Sequence, residues 1–244
     1  MNWYEYVFLV MAALLGGGLA LWLRRMERSV MQLVLSFCGA YLFGVIVLHL
    51  LPSIYEGGEH HIGIWVLGGF VLQLLLEQLS QGVEHGHIHE MHGHSRKWQT
   101  LQVMFGLSVH AFLEGMPLEG YQLLEHAHTQ GHPHIHLLSG VMMHKVPEAF
   151  SLTFLLLISG VRTRIIIGLL ALFSLMTPAG AWLAQAVVAG PDTVRLLMAI
   201  VVGSLLHIAT TILFEADSAK EHHISFVKWG AIILGIGLSL LSLL

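Results

Sequence analysis

Apolar stretches of about twenty residues recur along almost the whole chain, and that is the length a helix needs to cross a bilayer core. Reading for them yields eight segments, near 3–23, 31–51, 62–79, 101–124, 137–158, 165–188, 194–214 and 224–244. Charged residues make up only 11% of the 244, against roughly 25% in a soluble domain. Mean hydropathy is +0.74. These values exclude a water-soluble fold, and they exclude disorder, which requires a polar composition. The expectation is an all-α integral membrane protein of eight transmembrane helices. Net charge is −4, so no nucleic-acid partner is expected. The single cysteine, Cys38, excludes an internal disulfide framework and a cysteine-rich zinc site.

Basic residues orient such a chain, because Lys and Arg collect in cytoplasmic connections. Arg24, Arg25 and Arg28 follow span one, and Arg96 and Lys97 precede span four. Arg162 and Arg164 sit between spans five and six, Lys220 and Lys228 between spans seven and eight. All of these connections fall on one side of an eight-span topology, and the other side holds only Arg195. Both termini are therefore expected outside. The first span has its charges after it, which reads as an N-out anchor and not a cleaved signal peptide. Connections are short except 80–100 and 125–136, so residues 1–244 read as a single transmembrane domain with a His-rich cytoplasmic loop at about 82–99. Gly16, Gly17, Gly18, Ala20, Gly68, Gly69, Gly235 and Gly237 are expected to let helices approach closely.

Charge inside a bilayer is costly and marks function. Span four reads H-A-F-L-E-G, with His110 and Glu114; span five reads H-K-V-P-E-A, with His144 and Glu148. Residues i and i+4 share a helix face. Each helix thus points an imidazole and a carboxylate the same way, near mid-span. Two such faces together supply the ligand set of a borderline divalent metal such as zinc, with Fe(II), Mn(II) and Cd(II) as further candidates. Pro117 and Pro147 beside these pairs are expected to bend the helices or free a carbonyl.

With these motifs the chain resembles the ZIP (Zrt/Irt-like protein) family of divalent metal transporters. The resemblance extends to H-L-L-P at 49–52, T-P-x-G at 177–180 and the His-rich loop. It implies a 3+2+3 inverted-repeat bundle with both termini outside, and a homodimer. It implies a principal metal site of His110, Glu114, His144 and Glu148, with His49 as the ligand from span two. At the family's second metal position this chain departs from the pattern. Ala111, Lys145 and Thr177 stand where amides or carboxylates are usual. Alanine cannot ligate, and an ammonium has no lone pair. One metal is therefore expected, with the Lys145 charge in place of the second.

The remaining polar residues divide by position. His85, His87, His89, His92 and His94 in the cytoplasmic loop are expected to hold metal loosely, as are His126, His128, His132, His134 and His136 in the outer loop. His60, His61, His222 and His223 read as solvated loop residues. Glu77 is expected to snorkel to the interface, His207 to pair helices, and Glu119 to lie near the outer mouth. The function implied is movement of a divalent transition metal, zinc foremost, into the cytoplasm, with no resident cofactor and with the bilayer as its surroundings. The compactness of the chain points to a bacterial inner membrane. The alternatives are a membrane-embedded zinc-dependent hydrolase, for which no general base is left over, and a cation-diffusion exporter, whose soluble C-terminal domain this chain does not match.

Overall fold

A computed structural model describes residues 1–23, 28–55, 61–80, 96–125, 133–187, 190–215 and 226–241. Among these residues all regular structure is helical: α1 (Trp3–Trp22), α2 (Arg28–Val45), a π-helical turn (Ile46–Leu50), α3 (Leu51–Tyr55), α4 (Ile62–Ser80), α5 (Arg96–Glu125), α6 (Pro133–Ile158), α7 (Thr163–Ser174), α8 (Met176–Val187), α9 (Pro191–Glu215) and α10 (Phe226–Leu241). Six described segments are both long and apolar enough to cross a membrane. Two further helices flank that criterion. The 30-residue α5 is long enough, but the polar residues it carries at mid-helix lower its hydropathy. The 16 described residues of α10 rise about 24 Å at 1.5 Å each.

Proline explains both places where a span departs from one regular helix. In span two, the Leu51 amide donates to the Ile46 carbonyl, an i to i+5 bond, and Pro52 follows immediately. A proline has no amide hydrogen and its ring crowds the carbonyl four residues earlier. The ladder loosens into a π turn there, and the Ser53 hydroxyl donates to the His49 carbonyl at 2.5 Å. The sixth span, expected as one helix, is two: α7 ends at Ser174 and α8 begins at Met176. Pro178 leaves the Ser174 carbonyl without its amide partner, and the first helix closes at Leu175, whose amide donates to the Leu172 and Phe173 carbonyls. Pro117 and Pro147 lie buried inside α5 and α6, each of which runs through as one helix; having no amide hydrogen, neither can bond the carbonyl four residues before it, which is the freed carbonyl expected there.

Close pairing builds two groups. In one, α1 lies along α6 and α5 along α8; in the other, α4 lies along α9 and α2 along α10. Glycines set these distances. A Cβ on Gly115 would run into the Thr177 carbonyl, and one on Gly180 into that of Phe112. Gly69 and Gly203 meet the Ile200 and Val66 carbonyls in the same reciprocal way. Gly16 packs on Val146, and Gly235 on Phe37. Gly18, Gly68 and Gly237, also expected at helix contacts, have nothing within 4 Å of a notional Cβ. A core drawn from α1, α5, α6 and α7, including Leu107, Leu152 and Phe173, fills the first group. Outward faces carry large exposed apolar side chains such as Phe8, Leu67, Phe105, Ile167 and Leu234, as lipid-facing surfaces do.

One polar residue differs from its sequence-based placement. Lys228, assigned to a connection, is the third residue of α10 and is buried. Its ammonium nitrogen is buried along with the stem. Glu77, expected to snorkel, is half-buried, and its Oε2 lies 2.6 Å from His207 Nε2. That bond ties α4 to α9, and the Phe70 ring packs edge-on to His207 at 4.9 Å. His207 thus pairs helices, as expected.

Candidate metal centre

The centre forms where α5 and α6 face each other near their midpoints. His110 and Glu114 come from α5, and His144, Lys145 and Glu148 from α6; each is at most 2% exposed. One ligand atom from each of His110, Glu114, His144 and Glu148 lies within 4.8 Å of the others. His110 Nε2 is 4.0 Å from Glu148 Oε1, and His144 Nε2 is 3.7 Å from Glu148 Oε2. The two imidazoles stand nearly perpendicular, with centroids 5.9 Å apart. A tetrahedral zinc with bonds of about 2.0 Å separates its ligands by about 3.3 Å. The cluster therefore needs only a small contraction to hold such an ion.

Lys145 joins both carboxylates. Its Nζ lies 2.6 Å from Glu114 Oε2 and 2.7 Å from Glu148 Oε2. The Phe173 ring of α7 covers the ammonium, its centroid 5.2 Å away. Two carboxylates and one ammonium leave one net negative charge. The other position-two residues differ in kind. Ala111 is fully buried in apolar surroundings. Thr177 is 2% exposed, its hydroxyl without a hydrogen-bond partner among the described residues.

Other sequence candidates lie elsewhere. His49 is half-buried on the π turn and is not one of the four clustered residues. His85, His87, His89, His92 and His94 lie outside the described residues, as do His60, His126, His128, His132, His222 and His223; the side chains of His134 and His136 do too. His61 is exposed. Glu119 Oε2 accepts from the Tyr6 hydroxyl at 3.0 Å, linking α5 to α1. Three participants went unread in the sequence: Phe173, and the pair Gln73 and Ser204. The Ser204 hydroxyl donates to Gln73 Oε1 at 2.8 Å and lies 3.4 Å from His110 Nδ1. A polar residue in an otherwise apolar stretch was the one available signal for Gln73 and Ser204. Phe173 carried none.

Helices apolar enough to span a membrane surround a buried imidazole–carboxylate cluster of a kind that fits a divalent metal ion. The profile of the ZIP Zinc transporter family matches residues 80–243. Curated relatives include the zinc transporter SLC39A7 of Sus scrofa and of Mus musculus, each 35% identical over 82 residues, covering 26% of this chain and 17% of theirs. The Homo sapiens SLC39A7 is 35% identical over 80 residues, covering 25% and 17%. The match thus spans under a fifth of the length of these relatives. The chain belongs to the ZIP zinc transporter family. Members of that family are transporters, so the hydrolase alternative falls.

Proposed function

We propose that this protein carries a divalent transition metal, zinc foremost, across the bilayer into the cytoplasm through a site made by His110, Glu114, His144 and Glu148. The observation that carries this reading is the convergence of four buried ligand residues at mid-helix, their atoms within 4.8 Å. A charged cluster at that depth is otherwise too costly to keep. The relatives' name, zinc transporter, supports zinc as cargo. Fe(II), Mn(II) and Cd(II) suit the same ligand set. One ion binds at a time, with the Lys145 ammonium in the second position.

The fold we infer is one transmembrane domain over 1–244, with eight spans and both termini outside. Its halves form a 3+2+3 inverted repeat: spans one to three against six to eight, around four and five. The pairing supports this. Exchanging span one with six, three with eight, two with seven and four with five turns the α1–α6 contact into α5–α8, and α4–α9 into α2–α10. Movement of spans one, four, five and six against the rest would then give alternating access. His49 would join the ligands by a shift of its π turn. The loop histidines of 82–99 would receive released ions. A homodimer in a bacterial inner membrane completes the reading.

Uptake into reconstituted vesicles tests it. Wild type should accumulate zinc down its gradient, and both His110→Ala and Glu148→Ala should abolish that flux. Unchanged flux in either variant would remove the site from the pathway.

A further inference from the structure

Ser204 and Gln73 form a short polar chain that ends on the ring of His110, and its proton count has a consequence. A serine hydroxyl has one hydrogen. Ser204 Oγ gives it to Gln73 Oε1 at 2.8 Å. At the 3.4 Å contact with His110 Nδ1, Oγ can only accept, so the proton between them belongs to Nδ1. A neutral imidazole carries one ring proton. With it on Nδ1, Nε2 keeps its lone pair, and Nε2 is the atom that faces Glu148 Oε1 in the cluster. The other tautomer would present an N–H to the metal.

The chain crosses between helix groups. His110 lies on α5, which pairs with α8, whereas Gln73 and Ser204 lie on α4 and α9, which pair with each other. Gln73 is fully buried and Ser204 is 9% exposed. Close approach at Gly203, the residue beside Ser204, seats α9 against Val66 of α4 and holds the hydroxyl in reach of Gln73.

We infer that Ser204, with its proton directed by Gln73, is a positioning residue that sets the metal-binding tautomer of His110. This rests on the reading of His110 as a metal ligand. Groups that orient a metal-bound histidine through its other nitrogen are worth about 10–100-fold in metal affinity or activity.

Zinc binding and zinc uptake by the full-length protein in vesicles test the assignment. Ser204→Ala should raise KM and the dissociation constant about 10- to 100-fold and leave the maximal rate nearly unchanged. Ser204→Thr, which keeps the hydroxyl, should restore both. Gln73→Leu frees the hydroxyl proton to turn toward Nδ1 and should match Ser204→Ala. The double variant should be no worse than either single one, whereas Gln73→Glu, which keeps an acceptor, should bind as wild type. Ser204→Ala with unaltered KM and zinc affinity would overturn the assignment, as would a fall in maximal rate alone. His110→Ala separates the two levels. If it binds zinc normally, the ligand reading itself is wrong; if it loses zinc while Ser204→Ala does not, only the positioning role is lost.

Discussion

Lys145 Nζ lies 2.6 Å from Glu114 Oε2, so a lysine of α6 neutralises a carboxylate of α5 inside the helix bundle. The same ammonium is 2.7 Å from Glu148 Oε2. Removing one partner of a buried ion pair costs about 3–5 kcal/mol. Lys145→Met should therefore lower the thermal midpoint of the metal-free protein in detergent. Saturating zinc should recover more of the loss than it adds to wild type, because the variant offers the ion two uncompensated carboxylates. An unchanged midpoint would show that the ammonium does not hold the carboxylates in place.

Charge at position 145 also decides how many ions fit. Lys145→Asp replaces an ammonium that excludes a second cation by a carboxylate that can ligate one. Equilibrium dialysis should count one zinc per wild-type chain and two per variant chain. A count of one in both would mean that Ala111 and Thr177 already close the second position.

Gly180 of α8 and Gly115 of α5 each abut a carbonyl of the opposite helix. Gly180→Ala forces those backbones apart and should cost about 1–3 kcal/mol, as overpacking does. It should also weaken zinc binding, since α5 carries His110 and Glu114. Gly68→Ala meets nothing within 4 Å and should leave stability unchanged or raise it by up to about 1 kcal/mol, the helix preference of Ala over Gly. Unfolding midpoints of the two variants side by side decide the matter.

The bond of 2.6 Å between His207 and Glu77 ties α9 to α4. Interhelical polar contacts in membranes are worth about 0.6 kcal/mol on average and up to about 1.7. A cycle of Glu77→Gln, His207→Gln and the double variant should show coupling in that range, with zinc stoichiometry unchanged throughout. Lost zinc binding in His207→Gln would make the residue a ligand and not a strut.

Much of this protein is written locally in the chain. Spans appear in the sequence because a bilayer demands about twenty apolar residues, whatever the neighbours do. The boundaries of α1 and α4 fall within a residue or two of that reading. His110 with Glu114, and His144 with Glu148, are legible as facing pairs because helical geometry alone places i and i+4 together. The break at Leu175 follows from Pro178, yet hydropathy does not register it, since the flanking helices are both apolar.

Contacts between helices decided the rest. Nothing local says that Glu77 meets His207, that Ser204 reaches His110, or that Phe173 covers Lys145, because each pairing depends on how two helices are rotated and how closely they approach. Glycines at 69, 115, 180 and 203 set that approach. A glycine in sequence does not reveal whether it faces a neighbouring backbone, as Gly69 does, or open surroundings, as Gly68 does one residue earlier. Composition and helical period thus determined the spans and the faces of the ligand pairs. Only tertiary packing brought those faces together and chose their supporting residues, because contact depends on the distance between helices, which no single helix specifies.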